Sequence, residues 1–485
     1  MLDVLSVEDT SVRATIAVSY RALPAAARAA VSMASATMPG DIPAWALAEL
    51  AHGDADVADR LTAVGLLMPV QTEQFGRSYR IHRLTRAFVR EREPAERDAA
   101  AVVRLRAGWL VRSGQAAAAA PAVPFLPMPV LAEKPAAGEL EPRADTPPDY
   151  DWLDREQANL LAAADQASTA GAHAEAVELA IRIAARQCIR GGYPEAIKLW
   201  CAVARRAEAA GDLTAARAKY FLAAVIAGSH DRTNSAAALL ADCVPALEEA
   251  QDLVCAAYGH CLLGRYASVN HRHASAIRSA RRAAQLAGDG ARGRLVRCCA
   301  LTLLGITLAR TGMVDGGARY CQQARADAHT LAEPVYEAHA AQALAQVLIL
   351  RGDYRHAIEV CDEGISLARG YGGTVDIARL ELVAGRARQC NLEHPGATVS
   401  LRAAADVFRD ADLIMDEVTA RSMLAACCRS AGRGPSADTC VAEVSRVLAR
   451  GDGADTESLA ATAEQACYRP SYDEASTKTV DVRSN

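Results

Sequence analysis

The chain has 485 residues, a formal net charge of -5, fourteen cysteines and only 5% aromatic residues. A length of this order suits two to four domains or one long solenoid with additions. The mild charge offers neither the basic field of a nucleic-acid binder nor an acidic tail for a basic partner. No apolar run approaches the roughly eighteen uninterrupted residues of a membrane span. The N-terminal MLDVLSVEDTSVRAT lacks the charged-then-apolar order of a secretory signal, so a cytoplasmic protein is expected. In a reducing compartment, cysteines inside helices, such as Cys298-Cys299, Cys321, Cys361 and Cys427-Cys428, are expected to be small buried apolar groups.

Residues 1–112 read as a first unit. Helical periodicity runs through SVRATIAVSYRALP, AAARAAVSMASA, PAWALAELAHG and DADVADRLTAVGLL. LMPVQTEQFGRSYRIH then alternates apolar and polar residues around Gln74-Phe75-Gly76, which predicts a β-hairpin. A helix follows from near His82, with Arg83, Arg86 and Arg90 along one face. Helices, hairpin, helix is winged-helix order. The helix ahead of the hairpin carries Asp54, Asp56 and Asp59 against one Arg60. Groove readers place Lys, Arg, Asn or Gln there, so this helix opposes direct DNA contact. Glu91, Glu93 and Glu96 near the arginine stripe make a solvated or ion-paired face the expectation for it.

Residues 113–148 are rich in Ala and Pro and lack helical period, so they read as a linker. Pro121, Pro124, Pro127 and Pro129 have the composition of a polyproline ligand, but a spacer is the expected role. Residues 149–450 carry a repeat. Small residues fall at Ala184, Ala224, Gly264, Gly305, Ala345, Gly385 and Ala425, a step of forty with one of forty-one. A second series lies twelve further on each time, at Ala196, Ala236, Ala276, Gly317, Ala357, Ala397 and Ala437. Small side chains recurring at such a period let the two helices of a helix-turn-helix repeat approach. The copy AQALAQVLILRGDYRHAIEVCDEGISLA, Ala341 to Ala368, resembles a tetratricopeptide (TPR) repeat of the longer type. Seven copies after a leading helix predict an all-α fold, a TPR-type superhelix preceded by the small module. Residues 451–485 read as a tail with one short helix, Thr456 to Cys467, before a disordered polar end.

SYRALPAAARAAV, MPGDIPAWALAEL, VADRLTAVGLL and YRIHRLTRAFVRERE together resemble the winged-helix module of STAND regulators, the signal-transduction ATPases with numerous domains. The likeness is greatest to their antibiotic-regulator (SARP-type) branch. DYDWLDREQANLLAAADQA, from Asp149, resembles the segment opening the TPR region in that family. The resemblance implies a regulator of transcription in a specialised-metabolite pathway, with the module in a conformational role. It extends to the C-terminal half only. No GxxxxGK[ST] loop occurs, so no phosphate cradle is expected, and the family's DNA-binding effector domain is expected to be missing. Ile81-His82-Arg83 stands where the family has Met-His-Asp; His82 matches the phosphate-reaching residue, and Arg83 replaces the acid.

No GxSxG, HExxH or dinucleotide fingerprint is present, and no enzyme or cofactor is expected. His271-Arg-His273, with His260 and Cys261 upstream, is the densest set of possible metal ligands, yet it lacks zinc-site spacing and reads as turn histidines. Binding is therefore expected on the inner surface of the superhelix. In TPR arrays, positions six before, three before and one after the first-helix small residue point inward. That rule selects Tyr258, Cys261 and Arg265, then His339, Gln342 and Gln346, then Arg379, Leu382 and Arg386. The first, second and fourth repeats contribute Ile181, Ala185, Phe221, Val225, Thr302 and Ile306. A protein or peptide segment with an acidic group would anchor on Arg265, Arg379 or Arg386 through charge-assisted bonds; a small molecule is the other candidate occupant, and internal pairing of these arginines is the opposing expectation. A DNA-binding regulator and a scaffold for biosynthetic enzymes are the competing functions.

Overall fold

The connection between the two small-residue series is visible at Gly305 and Gly317. A methyl on Gly305 would sit 2.7 Å from the Gly317 carbonyl oxygen, and one on Gly317 would sit 2.4 Å from that of Gly305. Both distances are shorter than a Cβ tolerates, so the two backbones touch because neither residue has a side chain. The computed structural model describes residues 6–7, 10–70, 76–92, 98–118, 120–127, 150–209, 211–230 and 233–450. The expected hairpin tip, most of the linker and the C-terminal tail lie outside the described residues. Two units are distinguished: one from residues 1–120, 128–186 and 201–214, the other from 121–127, 187–200 and 215–450.

The first unit opens with a two-stranded ribbon, β1 (Ser6–Val7) and β2 (Thr10–Ser11). Helices α1 (Val12–Arg21) and α2 (Ala25–Thr37) lead to strand β3 (Ile42–Pro43). Then come α3 (Ala44–Leu50), α4 (Val57–Ala63), strands β4 (Leu67–Val70) and β5 (Ser78–Ile81), and α5 (Arg83–Arg92). The expected hairpin forms between β4 and β5, Leu67 opposite Ile81 and Val70 opposite Ser78. Alternation places Tyr79 and Ile81 in the core and leaves Arg80 exposed. The third strand was not expected: Ile42 pairs with Tyr79, giving the antiparallel order β3-β5-β4. Leu47, Leu50, Leu61 and Phe88 fill the core beneath this sheet's helices.

Helix α6 (Ala99–Ala118) runs past residue 112, where the linker was expected to begin. Alanine is the best helix former. Arg182, almost wholly buried, donates to the Leu110 carbonyl and to Ser113 Oγ, fixing that stretch. Trp109 of α6 meets Trp45 of α3 edge-on at 4.8 Å and Trp152 at 5.9 Å. Trp152 belongs to α7 (Tyr150–Arg155), followed by α8 (Gln157–Thr169). Buried Asn159 of α8 accepts from the Gly40 amide at 3.0 Å and donates to the Asp41 carbonyl at 2.7 Å. Sequence therefore separates a module and a repeat region that, in this unit, share one core.

Helix pairs follow: α9 (His173–Arg190) with α10 (Tyr193–Ala207), α11 (Asp212–Ser229) with α12 (Thr233–Glu249), and α13 (Leu253–Val269) with α14 (His273–Leu286). After them come α15 (Ala291–Arg310) with α16 (Val314–Thr330), and α17 (Pro334–Arg351) with α18 (Tyr354–Tyr371). The series closes with α19 (Thr374–Cys390) and α20 (His394–Asp410), then α21 (Ile414–Ser430) and α22 (Gly434–Arg450). This is an all-α, TPR-type solenoid. In the third, fourth and sixth pairs the first helix packs on its partner through the small residues. Gly264 approaches the Ala276 carbonyl as Gly305 approaches that of Gly317, and Gly385 lies against Leu401. The turn inside each pair holds one left-handed residue, at Gly191, His230, His271, Gly312, Gly352, Leu392 and Gly432, again about forty apart.

Candidate functional site

The first helices of the solenoid line its inner face, and side chains from distant repeats meet there. Tyr258 of α13 and Tyr336 of α17 place their hydroxyls 2.6 Å apart. His230, just beyond α11, lies 2.8 Å from Asp416 of α21. Contacts between helices two to five repeats apart require the array to curve with these helices inside. The inner face is thus a narrow, partly dehydrated groove rather than an open trough.

Within the second unit, the groove contains a piece of the chain itself, Pro121–Pro127. Val123-Pro124-Phe125-Leu126 forms a tight turn, with the Leu126 amide donating to the Val123 carbonyl at 3.1 Å. Proline in the second position and a left-handed third residue (Phe125, φ +67°) give the pattern of a type II turn. The Ala122 amide donates to Glu333 Oε2 at 3.0 Å, Tyr220 Oη to the Phe125 carbonyl at 2.6 Å, and Tyr336 Oη to the Val123 carbonyl at 3.3 Å. The Phe125 ring meets Tyr258 edge-on at 5.9 Å and His339 at 5.8 Å. The Arg265 guanidinium lies 5.5 Å from the ring centroid, a cation–π arrangement. The expectation of spacer alone for the prolines does not hold for these seven residues.

Burial governs the electrostatics. It drives His339 down to about 3, helped by Arg265, Arg379 and His230, so the imidazole is neutral at pH 7. Burial also lowers His230, and it raises the Tyr220, Tyr258 and Tyr336 hydroxyls, which act as neutral donors and acceptors. Burial pushes the Cys261 thiol up to about 12. Asp416 is raised by burial, but His230 and Arg379 outweigh this and hold it below the usual carboxylate range.

The expected binding residues have different fates. Tyr258, Arg265 and His339 converge on Phe125. Arg379 is not an open anchor for an acid: it donates through Nε to Asp416 at 3.0 Å and through Nη2 to the Gly228 carbonyl, and it lies 5.8 Å from the Tyr193 ring centroid. Arg265 faces a π-cloud instead of a carboxylate. Gln342, Gln346 and Arg386 are half-buried and make no hydrogen bond or ion pair with the described residues. Leu382 packs into the core of the last repeats, beside Leu401 and Leu424. Sequence reasoning passed over Tyr220, Tyr336, Asp416 and Phe125. Tyr220 and Tyr336 fall outside the inward-position rule, and Phe125 was hidden in a proline-rich stretch.

In the first unit, Arg80, His82, Arg83, Arg86 and Arg90 line an open pocket with Asp41. Two of the stripe arginines are engaged. Arg86 donates to the carbonyls of Ser35 and Met38 and Arg90 to that of Ser35, satisfying the C-terminal end of α2. Arg86 and Arg90 therefore cap a helix, beyond the solvated or ion-paired face expected of the stripe. His82 is exposed, its Nδ1 accepting from the Leu84 amide at 3.3 Å. On α4 and its approach, Arg60 pairs with Asp54. The rings of His271 and His273 meet at 5.9 Å, while His260 bonds Glu248 at 2.6 Å. Among the described residues no group of three or more His, Cys, Asp or Glu is arranged to hold a metal, and no helix is long and apolar enough to cross a membrane.

No family model and no curated protein matches the sequence. Among solved structures, the chain is similar to a STAND protein with a tetratricopeptide repeat sensor from Pyrococcus horikoshii, at 14% identity and a TM-score of 0.53. The match covers 96% of this chain and 66% of that one. It is also similar to a Rap protein solved with competence and sporulation factor, at 14% identity and a TM-score of 0.46, over 64% of this chain and 91% of that one. The apo quorum sensor NprR from B. thuringiensis matches at 13% identity and a TM-score of 0.45, over 62% of this chain and 84% of that one. At such identity the P. horikoshii likeness shows a shared fold and nothing beyond it.

Proposed function

We propose that the chain is a non-enzymatic sensor whose solenoid groove binds a peptide or protein segment. The observation that carries this reading is the inner face itself. Tyr220, Tyr258, Tyr336, Arg265 and His339 converge there and engage a turn of polypeptide through its main chain and one aromatic ring. Main-chain bonds supply affinity and side-chain pockets supply specificity in peptide recognition.

The resemblance to STAND regulators extends the proposal to control of transcription, in a specialised-metabolite pathway, with residues 1–112 as a winged-helix module of conformational role. The helix–hairpin–helix order and the fold likeness to a STAND protein support that extension. Direct reading of DNA draws no support from α4, whose neighbourhood is acidic, or from Arg86 and Arg90, which are occupied. A scaffold for enzymes remains the competing role.

The test is co-purification of a partner with the whole chain, compared with a Gln342→Ala/Gln346→Ala/Arg386→Ala variant. The inward-position rule selects these groups, and they make no hydrogen bond or ion pair with the described residues. Loss of a defined partner from the folded variant supports the groove; equal retention moves binding to another surface.

A further inference from the structure

The Pro121–Pro127 segment touches its groove as a ligand would. Three of its contacts are main-chain hydrogen bonds, to Glu333, Tyr336 and Tyr220, and its one deeply buried aromatic side chain, Phe125, sits among Tyr258, His339 and Arg265. The groove side is committed too. Tyr220 is fully buried and Tyr336 nearly so. Without an occupant, the Tyr220 hydroxyl would lose the Phe125 carbonyl and would have to exchange it for water or for another carbonyl. The segment side is under tension. Phe125 holds a left-handed backbone at φ +67°, a conformation that bulky side chains rarely adopt. The third position of such a turn favours glycine or asparagine, so the groove contacts hold Phe125 in it.

We infer that Pro121–Pro127 is a built-in competitor: it occupies the site of a short peptide from another chain, one that presents a proline–aromatic turn and accepts hydrogen bonds through its carbonyls. The inference rests on the reading of the groove as a peptide site and names that peptide's chemistry. A tethered segment competes at an effective concentration on the order of mM. Free peptide therefore gains the groove only when the segment is displaced, and binding is coupled to release of residues 121–127. Specificity follows from geometry. The Phe125 pocket, walled by two rings and a guanidinium, selects an aromatic residue over an aliphatic one.

The experiment uses the full chain and a fluorescent synthetic peptide, PAVPFLP with blocked ends, followed by anisotropy up to millimolar protein. Wild type is expected to bind barely, and Phe125→Ala to bind at least tenfold more tightly, because only the internal copy is weakened. Adding Tyr220→Phe to that variant should remove about two- to tenfold of the gain, the worth of one hydrogen bond. Circular dichroism establishes folding; if Phe125→Ala is unfolded, Phe125→Leu takes its place with the same expected direction. Equal measurable affinity in wild type and variant would overturn the competitor and leave the groove as a peptide site. No binding by either folded protein would overturn both.

Discussion

Gly305 and Gly317 face one another across the fourth helix pair with no side chain between their backbones. The methyl of Gly317→Ala would lie 2.4 Å from the Gly305 oxygen and 3.1 Å from Ala309 Cβ, and only backbone movement could relieve it. Overpacking of this kind costs about 1–3 kcal/mol. Gly305→Ala meets Cys321 Sγ at 2.4 Å as well, so it should fall in the same range. Gly316→Ala is the control, because nothing lies within 4 Å of its added methyl. Urea unfolding of the three variants checks the order; equal midpoints for Gly316→Ala and Gly317→Ala would refute the contact.

The turn series offers a change in the opposite direction. Leu392 stands at φ +64° in the position that Gly312, Gly352 and Gly432 fill in other repeats, and its side chain is 64% exposed. A left-handed backbone costs an L-residue roughly 1–2 kcal/mol, whereas glycine adopts it freely and loses somewhat more chain entropy. Leu392→Gly should therefore stabilise by about 0.5–1 kcal/mol, visible as a raised melting temperature. A lowered one would mean that the exposed leucine makes a packing contribution after all.

These two cases mark how far the sequence could be read. The period of forty gave the helix pairs because close approach of helices is a local demand, written in the identity of one residue at each crossing. The groove was legible only in part. An inward-position rule selects Tyr258, Arg265 and His339, but it takes one repeat at a time. The meeting of Arg379 with Asp416 and Gly228 depends on how far the array curves, a sum of small rotations over several repeats. Phe125 was illegible for a related reason. Its turn is held by tyrosines about a hundred and two hundred residues away, and its composition is that of a spacer. Strand β3 was missed because two residues carry no alternation to detect.

The Arg379–Asp416 pair should behave as a buried ion pair. Both side chains are about nine-tenths buried, with relative exposures of 12% and 10%. Asp416→Asn removes the negative charge while Arg379 keeps its own, and breaking one side of a buried pair costs about 3–5 kcal/mol. The double replacement Arg379→Met/Asp416→Leu removes both charges and should cost less than Asp416→Asn alone. A double-mutant cycle of Arg379→Met, Asp416→Leu and their combination, by denaturant unfolding, measures the coupling. Strict additivity would show that the two groups do not depend on each other.

Acid should weaken the fold earlier than carboxylate protonation explains. His339 and His230 both have folded-state values pushed down by burial, His339 to about 3, while an unfolded histidine titrates near 6.5. Below pH ~6.5 the unfolded chain binds protons that the folded chain refuses, so stability falls as pH falls. Each group contributes a slope of at most about 1.4 kcal/mol per pH unit, the limit set by one proton per imidazole. Asp416, also depressed, adds a loss of the same sign once pH drops below ~4. Glu333 and Asp376, raised by burial, act oppositely and soften the acid limb. The charges facing His339 are Arg265 and Arg379, which keep it neutral and cannot compensate a proton placed on it. His339→Leu should flatten the dependence of stability on pH between about 6.5 and 5. Urea midpoints measured across that window test it, and an unchanged slope would place the acid sensitivity elsewhere than in the groove.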